Sequence, residues 1–172
     1  MISFSNLTLL VVDDNQHWCD LVRASLEGFG LQNIHTCNDG DTALEIILQE
    51  NVNVVFADLV MEPMSGIDLT KNIRALDDPE KAMVPIIVMT AYGSKEARIA
   101  ARDAGTHEFL TKPFSPMQLM GQLRAVIDNP RPFIRTNTYF GPDRRFEEAT
   151  LIEVERHDRR SSDNAESSAK SA

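Results

Sequence analysis

The sequence predicts an α/β fold, a (βα)5 arrangement in which five short strands alternate with five helices. Three observations carry this. Thr8 to Val12, Val52 to Asp58 and Val84 to Thr90 are apolar runs, too short for buried helices and rich in β-branched residues. The segments after them place apolar residues three to five apart, which is the stripe of a helix packed on one side. Two of the three runs stop abruptly at acid, Asp13-Asp14 and Asp58, and in open α/β sheets ligand chemistry sits at the carboxyl ends of strands.

Taken in order, Thr8 to Val12 is the first strand. A helix follows from Asn15 through Leu21, Val22, Leu26 and Phe29, with Gly28 and Gly30 as its stop. Gln32 to Cys37 is short and partly polar, an outer strand, and Asp39-Gly40-Asp41 opens a helix bearing Ala43, Leu44, Ile47 and Leu48. Val52 to Asp58 reads as a fully buried strand, and Leu59 to Gly66 as a loop. Ile67, Leu69, Ile73 and Leu76 then fall at helical spacing, ended by the turn-forming Asp77-Asp78-Pro79-Glu80. In Val84 to Thr90, Pro85 stands near the start, where a missing ladder donor does little harm. Gly93 to Ala104 is an Ala-rich helix stopped by Gly105, and His107 to Leu110 is a brief strand. Ser115 caps the last helix with Pro116 in its first position, and Leu119, Leu123 and Ile127 share a face that ends before Pro130.

The charge is uneven. Residues 1 to 128 hold 9 Lys and Arg against 18 Asp and Glu, whereas residues 129 to 172 hold 8 of each. An acidic domain repels phosphate backbones, so DNA binding is not expected, while Mg²⁺ and basic protein surfaces suit it. Cys19 and Cys37 form no disulfide framework or zinc motif and read as reduced core thiols. Met1 to Leu7 lacks the features of a secretory signal, and no run is apolar enough to insert in a membrane. A cytoplasmic location is expected.

Asp13, Asp14 and Asp58 at neighbouring strand tips bring three carboxylates to one place. On its own stretch Asp58 also fits a turn or cap residue, but the cluster is stable if a hard divalent cation occupies it, and Mg²⁺ is held by few protein oxygens and several waters. Thr90 closes the fourth strand and Lys112 follows the fifth. A hydroxyl, an ammonium and a cation site around one carboxylate are what a phosphoryl group needs, with Asp58 as the nucleophile.

Val11 to Asn15, Asp58 before Met61-Glu62-Pro63-Met64-Ser65-Gly66, Met89-Thr90-Ala91 and Phe109 to Phe114 together resemble a bacterial response-regulator receiver domain over about residues 6 to 128. The resemblance implies a flavodoxin-like strand order 2-1-3-4-5 and phosphate received on Asp58 from a histidine kinase or histidine phosphotransfer protein. It implies Mg²⁺ held by Asp13, Asp14, Asp58 and the backbone carbonyl of Val60. The phosphate is then read by Lys112, the Thr90 hydroxyl and the backbone N–H of Ala91. Thr90 and Phe109 are the expected switch residues, acting on a downstream protein through the face of the fourth helix, fifth strand and fifth helix. A cis Lys112-Pro113 bond is also implied.

Departures are visible. Glu62 stands where the family often has proline, and Phe109 replaces a frequent tyrosine. Val60 and Tyr92 occupy positions that influence hydrolysis in the family and offer no base for water, so slow self-dephosphorylation is expected. The four histidines are scattered and read as surface or structural groups. Trp18 either packs at the rim of the acidic site or belongs to a kinase-docking face. Residues 129 to 172 show no helix-turn-helix and no second core, so a single-domain receiver with an appendage is expected, its Ser-rich end from Ser161 disordered. Tyr139, Phe140, Arg144 and Arg145 are candidate docking anchors in that appendage, against either a partner or the receiver itself. Asp-Arg-Arg occurs at 143 to 145 and 158 to 160, which reads as chance. The sequence leaves open a homodimer. Two other functions compete with phosphate reception: a phosphorylation-independent adaptor, and a phosphatase using an aspartyl-phosphate intermediate.

Overall fold

The computed structural model describes residues 6 to 145. Elements follow in the order β1 (Thr8–Val12), α1 (Gln16–Gly28), β2 (Asn33–Cys37), α2 (Gly40–Gln49), β3 (Val54–Asp58), α3 (Gly66–Arg74), α4 (Pro79–Ala82), β4 (Ile86–Thr90), α5 (Lys95–Ala104), β5 (Glu108–Thr111), α6 (Pro116–Asp128), β6 (Phe133–Arg135) and β7 (Phe140–Pro142). The first five strands form one parallel sheet in the order β2-β1-β3-β4-β5, as the resemblance implies.

Successive strand residues face opposite sides of the sheet, and the core splits accordingly. Leu9, Val11, Phe56 and Ile87 meet α1 and α6 through Val22, Leu26, Leu119 and Leu123. Leu10, Val12, Val55 and Val88 meet α2, α3 and α5 through Ala43, Ile47, Leu69, Ile73 and Ala101. β3 and β4 are buried along their whole length, which accounts for their unbroken apolar sequence. Each such Leu or Ile withdrawn from water contributes about 2 kcal/mol.

Polar side chains set the helix starts. Asn15, Asp39, Ser65, Asp78, Ser94 and Ser115 each accept a backbone N–H from the first turn of the helix they precede. Ser115 and Gln118 complete a reciprocal capping box. Two stretches differ from expectation. The stretch read as a turn at Asp77 to Glu80 contains the one-turn helix α4, because Asp78 caps it and Pro79 fits its first position. The residues beyond Pro130 form a hairpin, with β6 and β7 antiparallel in a small second sheet.

That hairpin seats at the amino end of β5. Phe133 stacks at 5.4 Å on both His107 and Phe140, and the Arg74 guanidinium lies 5.1 Å over its ring. Arg131 pairs with Glu108 at 3.7 Å. Gly105 ends α5 in the left-handed conformation, φ 104°, and lies so close to Phe140 and Gly141 that a side chain there meets the hairpin backbone. The first compact unit therefore runs through Pro142. Asp143 begins a second unit, in which the Arg145 guanidinium pairs with Asp143, with Nε 3.0 Å from Oδ1. The second Asp-Arg-Arg, the Ser-rich end and Met1 to Ser5 lie outside the described residues.

Arg74 is the deepest charge in this region. Nη1 donates to the carbonyls of Ala82 and Val84 at 2.7 and 2.9 Å, while Nε and Nη2 donate to that of Gly105 at 3.0 and 2.8 Å. Burial pulls its pKa down to about 9, so it stays charged at neutral pH. His107 Nδ1 accepts the Ile86 N–H at 3.2 Å, and burial, with Arg74 and Arg131 nearby, holds its pKa at about 2. The unfolded imidazole binds a proton below about pH 6.5 and the folded one does not, so stability is complete above that pH and falls as the pH drops. His107→Asn keeps an acceptor for Ile86 and removes the titration. Between pH 7 and about pH 5, wild type is expected to lose about 2 kcal/mol more than this variant in urea unfolding.

Candidate functional site

Parallel strands deliver their carboxyl ends to one edge, and there the sequence has placed its polar residues. Asp58 is the last residue of β3, only 8% exposed, while Asp13 directly follows β1 and is buried. Asp13 Oδ1 accepts the Asn15 N–H at 3.0 Å, which fixes the carboxylate against the start of α1. Asp14, beside it, is exposed. Carboxylate oxygens of Asp13, Asp14 and Asp58 all lie within 4.8 Å of one another.

Lys112 arrives from the far side of β4. Its backbone N–H donates to the Thr90 carbonyl at 2.7 Å, extending the ladder one residue past β5, and the Lys112-Pro113 bond is cis. The ammonium sits 2.5 Å from Asp13 Oδ2 and 3.1 Å from Asp58 Oδ1. Burial holds the Asp58 carboxyl above the usual carboxylate range, opposed by the attraction of Lys112. Thr90 closes β4, and its hydroxyl oxygen accepts the Tyr92 N–H at 3.0 Å. That bond uses a lone pair and leaves the hydroxyl proton for another acceptor.

These groups line a cleft of about 200 Å³, bordered also by Trp18, Val60, Ala91 and Tyr92. Three carboxylates against one ammonium leave negative charge in excess. An all-oxygen donor set of this kind suits Mg²⁺. Gly66 supports the edge from behind, its N–H donating to the Leu59 carbonyl at 3.0 Å.

The structure thus brings together Asp13, Asp14, Asp58, Val60, Thr90, Ala91 and Lys112. Phe109 stands outside the cleft, half-buried on β5 with the Arg98 guanidinium 4.6 Å over its ring. Tyr139 and Phe140 lie in the hairpin. The Tyr139 hydroxyl donates to the Pro142 carbonyl at 2.7 Å, and Phe140 carries the Arg135 guanidinium 4.0 Å over its ring. Arg144 and Arg145 belong to the second unit. Cys19 and Cys37 are free and buried, with thiols pushed up to about 11 and about 12 by burial, so neither is a nucleophile at neutral pH. The residue that sequence reasoning left undecided is Trp18, whose ring covers Lys112.

A parallel sheet whose first and third strands end in carboxylates tied to a lysine beyond the fifth is the framework of a phosphate-accepting signalling domain. The chain belongs to the response regulator receiver domain family, which matches residues 9–124. It is 34% identical over 123 residues to the chemotaxis protein CheY-3 of Vibrio cholerae, covering 72% of this chain and 93% of that one. It is 30% identical over 126 residues to the response regulator MprA of Mycobacterium leprae, covering 73% of this chain but about half, 53%, of that protein's length. Among solved structures it resembles the receiver domain of sensor histidine kinase PA1611 from Pseudomonas aeruginosa, which has a magnesium ion coordinated in its active site cleft. That match has a TM-score of 0.65 and 26% identity, and covers 72% of this chain and 98% of that one. Receiver domains are signalling phosphoacceptors of two-component systems rather than enzymes in the ordinary sense, and they bind Mg²⁺ at the acidic site. Among the described residues no helix is long and apolar enough to cross a membrane.

Proposed function

We propose that this chain takes a phosphoryl group from the phosphohistidine of a histidine kinase or histidine phosphotransfer protein onto Asp58, and that the product changes which protein it binds. The observation that carries this is the Lys112 ammonium held at once by Asp13 and Asp58, 2.5 and 3.1 Å away, inside a cleft with a third carboxylate. An Asp58 oxygen attacks phosphorus in line. The new P–O bond forms as the P–N bond breaks, and the electron pair of that bond returns to the donor imidazole. Lys112 neutralises charge on the phosphoryl oxygens, the Thr90 hydroxyl donates to one of them, and the Ala91 N–H to another. Asp13, Asp14, Asp58 and the Val60 carbonyl would hold Mg²⁺, which would supply further neutralisation of that charge.

The reading then passes outward. Thr90 turning to the phosphoryl group and Phe109 repacking beside Arg98 alter the α5, β5 and α6 face, a two-state change biased by the new charge. The acidity of residues 1 to 128 favours a protein target over a nucleic acid at this face. Neither Val60 nor Tyr92 supplies a base for water, so the phosphoaspartate is long-lived. Intact mass after incubation with acetyl phosphate and Mg²⁺ tests the scheme. One added phosphoryl group is expected, lost in Asp58→Asn, lost on EDTA treatment before the donor is added, and persisting for minutes or longer in purified wild type. An unlabelled wild type, with acetyl phosphate and with a kinase, sinks the proposal in favour of a constitutive adaptor.

A further inference from the structure

Lysine is a flexible four-carbon stem with a strongly hydrated head, and two carboxylates on one side do not by themselves keep water off the other. In this protein the other side is covered. The Lys112 ammonium lies 4.8 Å from the centre of the Trp18 ring, and the lysine side chain is only 7% exposed. Trp18 is itself fixed twice. Its backbone N–H donates to the Asn15 carbonyl at 2.9 Å in the first turn of α1, and its ring leans on Phe114 at 5.7 Å and 41°. Phe114 lies two residues beyond Lys112, past the cis bond to Pro113. The aromatic pair thus brackets the loop that carries the ammonium.

We propose that Trp18 is a positioning residue for phosphoryl transfer, its indole face holding the Lys112 ammonium toward Asp13 and Asp58 and shielding it from water. The chemistry is cation–π attraction, strongest for indole and largest where the cation is desolvated, as here. Without the ring the ammonium samples other rotamers, and only part of the population is set to meet a phosphoryl oxygen. This rests on the role given to Asp58 above. Packing of Trp18 on Phe114 alone predicts something different, because it depends on the volume of the ring and not on the charge of its face.

Trp18 is the only tryptophan in the chain, which makes a clean experiment possible. Biosynthetic replacement by 5-fluoro- and by 4,5,6,7-tetrafluorotryptophan drains the ring face of negative potential with little change in shape, and thermal melting verifies the fold. With acetyl phosphate and Mg²⁺, the initial rate of Asp58 labelling is expected to fall stepwise along the series. The tetrafluoro protein should be about tenfold slower than wild type. Trp18→Phe, which keeps an aromatic face, is expected to stay within about threefold of wild type, and Trp18→Leu to fall about tenfold. A labelled wild type with a rate indifferent to fluorination, or equal losses in the Phe and Leu variants, overturns the role of Trp18 and leaves that of Asp58 standing. A wild type that takes no label overturns both.

Discussion

Gly66→Ala is expected to cost about 3 kcal/mol in urea unfolding and to abolish labelling of Asp58 in whatever fraction still folds. Gly66 opens α3 directly behind the acceptor. A methyl group there overlaps the Asp58 carbonyl oxygen and lies 3.0 Å from its carbon and 3.1 Å from the Leu59 Cα. All three atoms are backbone, so no side chain can swing aside, and relief requires the tip of β3 to move. That tip carries Asp58. Displacement of an ångström breaks the geometry in which Lys112 spans Asp58 and Asp13. Gly121, inside α6 with nothing within 4 Å of an added methyl, is the control. Gly121→Ala is expected to leave labelling unchanged and to stabilise by about 0.5 kcal/mol or more through helix propensity.

Arg74→Met is expected to destabilise by about 3 kcal/mol while leaving the rate of Asp58 labelling near wild type in folded protein. The carbonyls of Ala82, Val84 and Gly105 all lose their donor, and each orphaned acceptor in a buried setting costs about 1 kcal/mol or more. Methionine fills the volume of the stem, so the loss isolates the polar head and its place over Phe133. Urea unfolding and intact mass measure the two halves of the prediction. Arg74→Lys is expected to recover only part of the stability, because an ammonium cannot reproduce the fork that reaches both α4 and Gly105. The distance from the cleft explains the spared chemistry. Ile86 and His107 stand at the amino ends of β4 and β5, Thr90 at the carboxyl end of β4 and Lys112 just past that of β5.

The sheet and its chemical edge were legible because both are written in local order. An apolar run that stops at Asp58, another at Asp13-Asp14 and a third at Thr90 need only strand length and strand direction to be brought together. Ser115-Pro116 announced α6 for a similar reason, since a cap and a proline act within one turn. What was missed depends on partners distant in sequence. Nothing in the sequence around Arg74, in the last turn of α3, marks it as buried, and only the folding of α4 and Gly105 around it makes it so. Strands of three residues, one ending in Gly-Pro, carry no periodicity, so β6 and β7 were invisible, and Tyr139 and Phe140 read as docking anchors, against a partner or the receiver itself, with no sign of the hairpin around them. α4 is a single turn whose cap and proline are equally the signs of a β-turn. Trp18 and Lys112 are brought together only by the closing of α1 on the last loop.

Gly105 is gripped from both sides, by the Arg74 guanidinium on its carbonyl and by the backbone of β7 against its α-carbon. The root of β5 is thereby a fulcrum. The strand is only four residues long, so its lever arm is short and stiff, and a force applied at its Lys112 end would be taken up there and by the helices beside it rather than at its root.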